Sequence, residues 1–233
     1  MEETKQLNVS GEMVGGLAHK IRDPLAAMKL SIEMILAELD LKEEDRTVLL
    51  NVVEEIRRIE VLMKKFLNFA RPAPAQLMSL NINKVLDETV KFLEKQPAFV
   101  PPESGRKILR VLDAELPDTI GDPQQLQQLF LNILLNAAEA MPEGGTVTVK
   151  TCCDSEAQML WVDITDTGRG IPAESTSRIF QPFYTTKVKG IGLGLAVAQR
   201  LAEDHGGRIT VAGHEPGATT FKVSFPLMTS VPS

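Results

Sequence analysis

This 233-residue chain has few aromatic side chains: one Trp, one Tyr and an aromatic share of 5%. Methionine and the aliphatic residues must supply most of its packing. Cysteine is scarcer still, with only Cys152 and Cys153, which are adjacent. Neighbours along a strand point to opposite faces and cannot be bridged without severe strain, so both read as reduced thiols. No segment approaches the ~20 apolar residues of a membrane span, and no N-terminal run resembles a signal peptide. The expectation is a cytoplasmic chain with no membrane segment of its own, which leaves room for a sensory or membrane part in a longer protein. Positive charge is not in excess either: 25 Lys and Arg stand against 31 Asp and Glu, a formal net charge of -6. A chain of that balance lacks the basic surface that phosphate backbone demands, which argues against nucleic acid as its main partner.

The content is that of a globular protein able to bury a core, with 43% hydrophobic and 24% charged residues, and the length suits one or two domains. Between Leu7 and Leu39 the apolar residues Leu17, Ile21, Leu25, Met28, Ile32, Ile35 and Leu39 recur in steps of three and four. That is one helical stripe. A polar break at 40–45 follows, and the pattern resumes at Leu49, Val52, Ile56, Ile59, Met63, Phe66 and Ala70. Two such helices joined by a short connection form an antiparallel hairpin. A lone hairpin cannot hide its stripe. Pairing with a second hairpin predicts a homodimeric four-helix bundle, the alternative being a partner surface in the second half of the same chain.

Pro72 and Pro74 end the second helix and mark residues 72–76 as a linker between a hairpin over 1–71 and a domain over 77–227, with a tail at 228–233. In the second domain the texture is mixed. Helices are expected at Asn81–Glu94, Pro123–Ala140 (capped by Asp122) and Leu193–Asp204, and strands at Lys107–Leu112, Thr146–Cys152, Gln158–Thr165, Arg208–Ala212 and Ala218–Phe225. Antiparallel strands covered on one side by helices give an α+β fold with a layered sandwich. His205 and His214 read as loop residues.

Four features carry chemistry. Asn132 and Asn136 lie one turn apart on a helix, and amides among apolar neighbours favour a polar ligand or a Mg²⁺ ion that prefers oxygen. Asp166-Thr167-Gly168-Arg169-Gly170 follows an apolar strand, where Asp166 can accept a hydrogen bond from an exocyclic amine, and Gly168 and Gly170 permit positive φ and close approach of a ligand. Arg178 to Lys187 concentrates Phe180, Phe183 and Tyr184 and ends in a cation. Gly190, Gly192 and Gly194 run into a helix, offering free N–H groups to phosphate. No GxxxxGK[ST] run occurs and the glycines follow no βαβ unit, which excludes a Walker or Rossmann site.

In this order and spacing, the four features resemble the ATP-binding domain of two-component sensor histidine kinases, within the wider GHKL ATPase superfamily, over roughly residues 77–227. The run Gly16 to Leu25, containing His19, Pro24 and Leu25, resembles the phosphoacceptor box of the same family. The resemblance implies Mg-ATP as cofactor, with Asp166 reading adenine, Asn136 and Asn132 holding Mg²⁺, Gly190, Gly192 and Gly194 wrapping the phosphates and Lys187 near the γ-phosphate. Thr185 and Thr186 are weaker candidates. It further implies a lid over Arg169–Lys189, phosphorylation of His19, and transfer to an aspartate on a response-regulator receiver domain.

Two positions depart from the family. Lys20 stands where an acidic residue usually follows the histidine, and Asp23 where Asn usually stands. Asp23, four residues after His19, falls on the same helix face and is the candidate to orient the ring. The alternative expectation is a degenerate, dimeric nucleotide-binding scaffold with little phosphotransfer. A serine kinase of another GHKL branch is disfavoured by the His19 hairpin.

Overall fold

The computed structural model describes residues 21–70, 74–96, 99, 105–187, 190–215 and 217–227. His19 and Lys20, linker residues 72–73 and the tail at 228–233 lie outside them. The chain forms two compact units, Met1–Pro74 and Ala75–Ser233.

In the first unit, residues 21–38 are helical (α1), and α2 spans Glu43–Ala70. Glu43, Glu44 and Asp45 crowd the first turn of α2, where negative charge complements the helix dipole. Lys29 approaches Glu60 at 3.9 Å and Arg57 approaches Glu33 at 3.5 Å. As the number rises on α1 it falls on α2, so the pair is antiparallel. Leu25, Val53 and Ile56 are buried within the hairpin, whereas Met28, Ile35, Leu39 and Val52 stay exposed. Part of the apolar surface is therefore satisfied inside one chain and part is not.

The second unit is a five-stranded sheet of order β2-β4-β5-β7-β6, where β2 is Arg106–Val111, β4 Gly145–Asp154, β5 Met159–Asp166, β6 Arg208–Glu215 and β7 Ala218–Pro226. A separate two-stranded ribbon pairs β1 (Met78–Leu80) with β3 (Thr119–Gly121). The ribbon was not expected from sequence, because three-residue strands carry too little periodicity to read. The purely antiparallel sheet expected from sequence is corrected at one edge. β2 runs parallel to β4, Arg106 opposite Gly145 through Val111 opposite Lys150. Parallel neighbours need a crossover, and the helix α4 (Pro123–Ala140) lies in the chain between them.

Helices α3 (Ile82–Leu93), α4 and α5 (Gly194–Asp204) supply the other layer of the core. Period two along β5 buries Leu160, Val162 and Ile164, and on β7 it buries Phe221, Val223 and Phe225. Against them α4 buries Leu126, Leu129, Phe130, Ile133, Leu134, Ala137 and Ala138. Phe130 meets Phe225 edge to face at 6.4 Å, a contact worth about 1 kcal/mol beyond the area it buries. Asn81 caps α3 by accepting the N–H of Asn83, and Asp122 caps α4 by accepting those of Gln124 and Gln125.

His205 is not the loop residue that the sequence suggested. It closes α5 and is 6% exposed. Its Nε2 accepts the N–H of Asp122 at 3.0 Å, so the ring proton sits on Nδ1 and is donated to the Leu201 carbonyl at 2.7 Å.

Candidate functional site

The same period two that builds the core delivers Asp166 to an inward position at the end of β5, where it is 1% exposed. Burial of this carboxylate raises its pKa above the usual range, against the opposing pull of the Gly168 hydrogen bond and the charge of Lys187. The Gly168 N–H donates to Asp166 Oδ1 at 2.8 Å. Gly168 does not take a positive φ. A side chain is excluded there by proximity instead, since a Cβ would stand 2.6 Å from Asp166 Oδ1 and 2.7 Å from the Ala140 carbonyl oxygen. Gly170 does adopt the left-handed region, at φ +80°. The Arg169 N–H donates to the Ala140 carbonyl and the Gly217 N–H to the Gly168 carbonyl, which ties this loop to the end of α4 and to the β6–β7 turn.

Asn132 and Asn136 are half-buried on α4. Asn136 Oδ1 accepts from Lys187 Nζ at 2.8 Å, and the same ammonium group meets Glu139 Oε2 at 2.5 Å. Two candidates from opposite parts of the sequence are thus joined directly. The third member, Glu139, was missed in the sequence, although it sits three residues after Asn136 and so on the same helix face. An amide oxygen that already holds an ammonium group is chemically suited to a hard divalent cation.

Between β5 and α5 the chain packs on itself. A short helical turn at Ala173–Ser175 presents Ser175, whose hydroxyl accepts from Tyr184 at 2.7 Å, and the Arg178 guanidinium lies 4.5 Å over the Tyr184 ring. Phe183 takes φ +67°, unusual for a residue with a side chain, and its N–H donates to the Gly192 carbonyl at 2.9 Å. Gly192 itself sits at φ +71°, and a Cβ there would meet Phe183 and Tyr184 backbone at 2.5 Å. Gly190 is exposed. Gly194 opens α5 with nothing within 4 Å of a would-be Cβ, and Leu193 gives that helix end no side-chain cap. Uncapped N–H groups at a bare glycine are a ready anion site. In the other unit Asp23 is helical and exposed. Its relation to His19 lies outside the described residues.

A mixed sheet with helices on one face, a buried Asp at a strand end, an Asn-bearing helix and a glycine-rich helix start together define an ATP-binding fold. Residues 121–229 match the family described as histidine kinase-, DNA gyrase B- and HSP90-like ATPase, and residues 10–74 match the His Kinase A (phospho-acceptor) domain. The chain belongs to the histidine kinases and carries the phospho-acceptor and ATPase domains of a two-component sensor kinase core. It is 35% identical to sporulation kinase A of Bacillus subtilis (strain 168), over 97% of this chain and 36% of that protein. With the sensory histidine kinase/phosphatase NtrB of Rhodobacter capsulatus the identity is 34%, over 91% of this chain and 60% of the relative. The chain therefore spans less than two thirds of the length of either relative. Among solved structures, full-length ShkA in complex with AMPPNP aligns with a TM-score of 0.75 at 25% identity, over 95% of this chain and 47% of that one. The histidine kinase ThkA in complex with the response regulator protein TrrA aligns with a TM-score of 0.67 at 24% identity, over 97% of this chain and 64% of that one, a likeness of fold. Among the described residues no helix is long and apolar enough to cross a membrane.

Proposed function

We propose that this chain is an ATP-dependent, autophosphorylating protein histidine kinase that phosphorylates His19 and passes the group to a response-regulator aspartate. The observation that carries the reading is the buried Asp166 carboxylate, oriented by Gly168 and set close enough to Lys187 to feel its charge. A buried carboxylate with one oxygen anchored to backbone is a fixed acceptor for the exocyclic amine of adenine. Asn136, with Asn132 beside it, would hold Mg²⁺, which would supply charge neutralisation for the phosphates. Gly170 bends the chain beside the base, Gly168 fixes the Asp166 carboxylate, Gly190, Gly192 and Gly194 let the loop wrap the phosphates at the uncapped start of α5, and Lys187 meets the γ-phosphate. Phosphoryl transfer needs mainly positioning and charge stabilisation, and these are the groups present.

A nitrogen of neutral His19 attacks the γ-phosphorus while the bond to the bridging oxygen breaks and ADP leaves. The ring then gives up its remaining N–H proton to solvent, with Asp23 orienting the imidazole. The phosphoramidate then serves a receiver-domain aspartate. Bound AMPPNP in ShkA and bound response regulator in ThkA support the same two partners for this chain. The exposed Met28, Ile35, Leu39 and Val52 support a homodimer through the hairpin, placed in the cytoplasm with its regulator.

Incubation with γ-phosphate-labelled ATP and Mg²⁺ tests the reading. Label stable to alkali, lost in acid and absent from His19→Ala is the expected result. Bound nucleotide with no label on the wild type would overturn it in favour of a nucleotide-binding scaffold.

A further inference from the structure

We propose that Glu139 is a positioning residue that latches Lys187 onto Asn136, so that Mg²⁺ and nucleotide bind only by displacing the lysine. The inference rests on the nucleotide-site reading above and extends it to a residue with no role there. Lys187 Nζ is held from two sides, by Asn136 Oδ1 at 2.8 Å and by Glu139 Oε2 at 2.5 Å. Both acceptors stand on α4, three residues apart, and α4 is capped by Asp122 and locked into the core by seven buried side chains. The backbone positions of both acceptors are fixed by that helix. The ammonium group is the movable partner, because it ends a long side chain on the loop side of the contact.

An amide oxygen cannot serve an ammonium and a divalent cation at once, since two positive charges that close repel strongly. Metal binding at Asn136 therefore requires Lys187 to leave, and Lys187 leaves carrying the charge that a γ-phosphate attracts. The step is an exchange. One ammonium–oxygen set is given up, and a metal–oxygen contact together with an ammonium–phosphate contact is formed. Glu139 sets the threshold, because its carboxylate favours the latched lysine and contributes nothing to the exchanged state. Its side chain is 59% exposed, so solvent screens the pair and the threshold is small.

The affinity of the full-length chain for a fluorescent ATP analogue with Mg²⁺ tests this in four proteins: wild type, Glu139→Gln, Lys187→Met and the double variant. Glu139→Gln is expected to tighten binding by about two- to fivefold, the range of an exposed ion pair. Added salt is expected to shrink the difference. In the Lys187→Met background the same change is expected to have no effect, since nothing remains to latch. The KM for ATP should fall in Glu139→Gln while kcat holds. Unchanged or weaker binding in the single variant would overturn the latch. So would equal tightening in both backgrounds, which would mean that Glu139 repels the nucleotide directly. Failure of the wild type to bind any nucleotide would overturn the site reading, and the latch with it.

Discussion

The backbone N–H of Asp122 donates to Nε2 of His205 at 3.0 Å, which joins the first residue before α4 to the last turn of α5. The side chain of Asp122 is spent elsewhere: one oxygen caps α4, and the other accepts the N–H of Gln76 at 2.7 Å, where the chain emerges from the linker. A few atoms thus tie the chain entering the second unit to two of its three helices. Replacing His205 with Ala leaves the buried Asp122 N–H without an acceptor. A loss of about 1–3 kcal/mol in stability is expected, read as a lower urea midpoint at unchanged slope.

Asp122→Ala is expected to cost about 1–2 kcal/mol at neutral pH, the usual worth of an N-cap. Burial pushes the Asp122 carboxyl upward, but the N–H groups of Gln76, Gln125 and Gln124, with His205, outweigh it and hold its pKa below the ordinary value. A depressed folded pKa stabilises the protein above the unfolded value of about 3.9, and that contribution is lost as pH falls through the folded one. The gap between wild type and variant should therefore close in urea titrations carried from pH 7 into that acid range.

Asp166 has the opposite sign. Its folded pKa is raised, so the penalty for the ionised form is full above the folded value and is lost as pH falls from there to the unfolded value of about 3.9. Asp166→Asn keeps an oxygen for the Gly168 N–H and removes the buried charge. A thermal midpoint equal to the wild type or up to ~4 °C higher at pH 7 is expected. Nucleotide affinity in the same protein should fall by at least about tenfold, or 1.4 kcal/mol, measured by calorimetry.

Gly168→Ala and Gly194→Ala separate structural need from ligand need. At Gly168 the new Cβ would collide with Asp166 Oδ1 and the Ala140 carbonyl, so both stability and nucleotide binding should drop. At Gly194 nothing lies within 4 Å. Stability there should hold or rise by a few tenths of a kcal/mol, since Ala is the better helix former, while nucleotide affinity falls. Paired thermal melts and binding titrations check both.

Val52 is 42% exposed on α2, on the unsatisfied part of the apolar stripe. Val52→Glu is expected to shift the chain from dimer toward monomer in light scattering, with little change in helix content. A charge placed between two hairpins would be desolvated, whereas at an exposed site on a lone hairpin it costs almost nothing.

Much of this was legible in the sequence because local rules and global fold agree. Steps of three and four marked both hairpin helices, Asp122-Pro123 marked the start of α4 to the residue, and alternation marked β4, β5 and β7. The parallel edge β2 was not legible, since a strand's own residues do not report its neighbour's direction. Nor was the role of His205, whose two partners are fixed by the packing of α4 beside α5.

By itself, then, the order of residues determined the helices, the longer strands and the presence of an Asn pair, a strand-end Asp and a glycine-rich helix start. These depend on backbone propensity and on side-chain period, which act between near neighbours. Only the tertiary structure decided that Lys187 rests on Asn136 and Glu139, that burial raises the pKa of Asp166, and that Gly168 is glycine for lack of space and not for its φ. Each of those depends on groups brought together from distant parts of the chain, where distance and desolvation, not sequence spacing, set the energy.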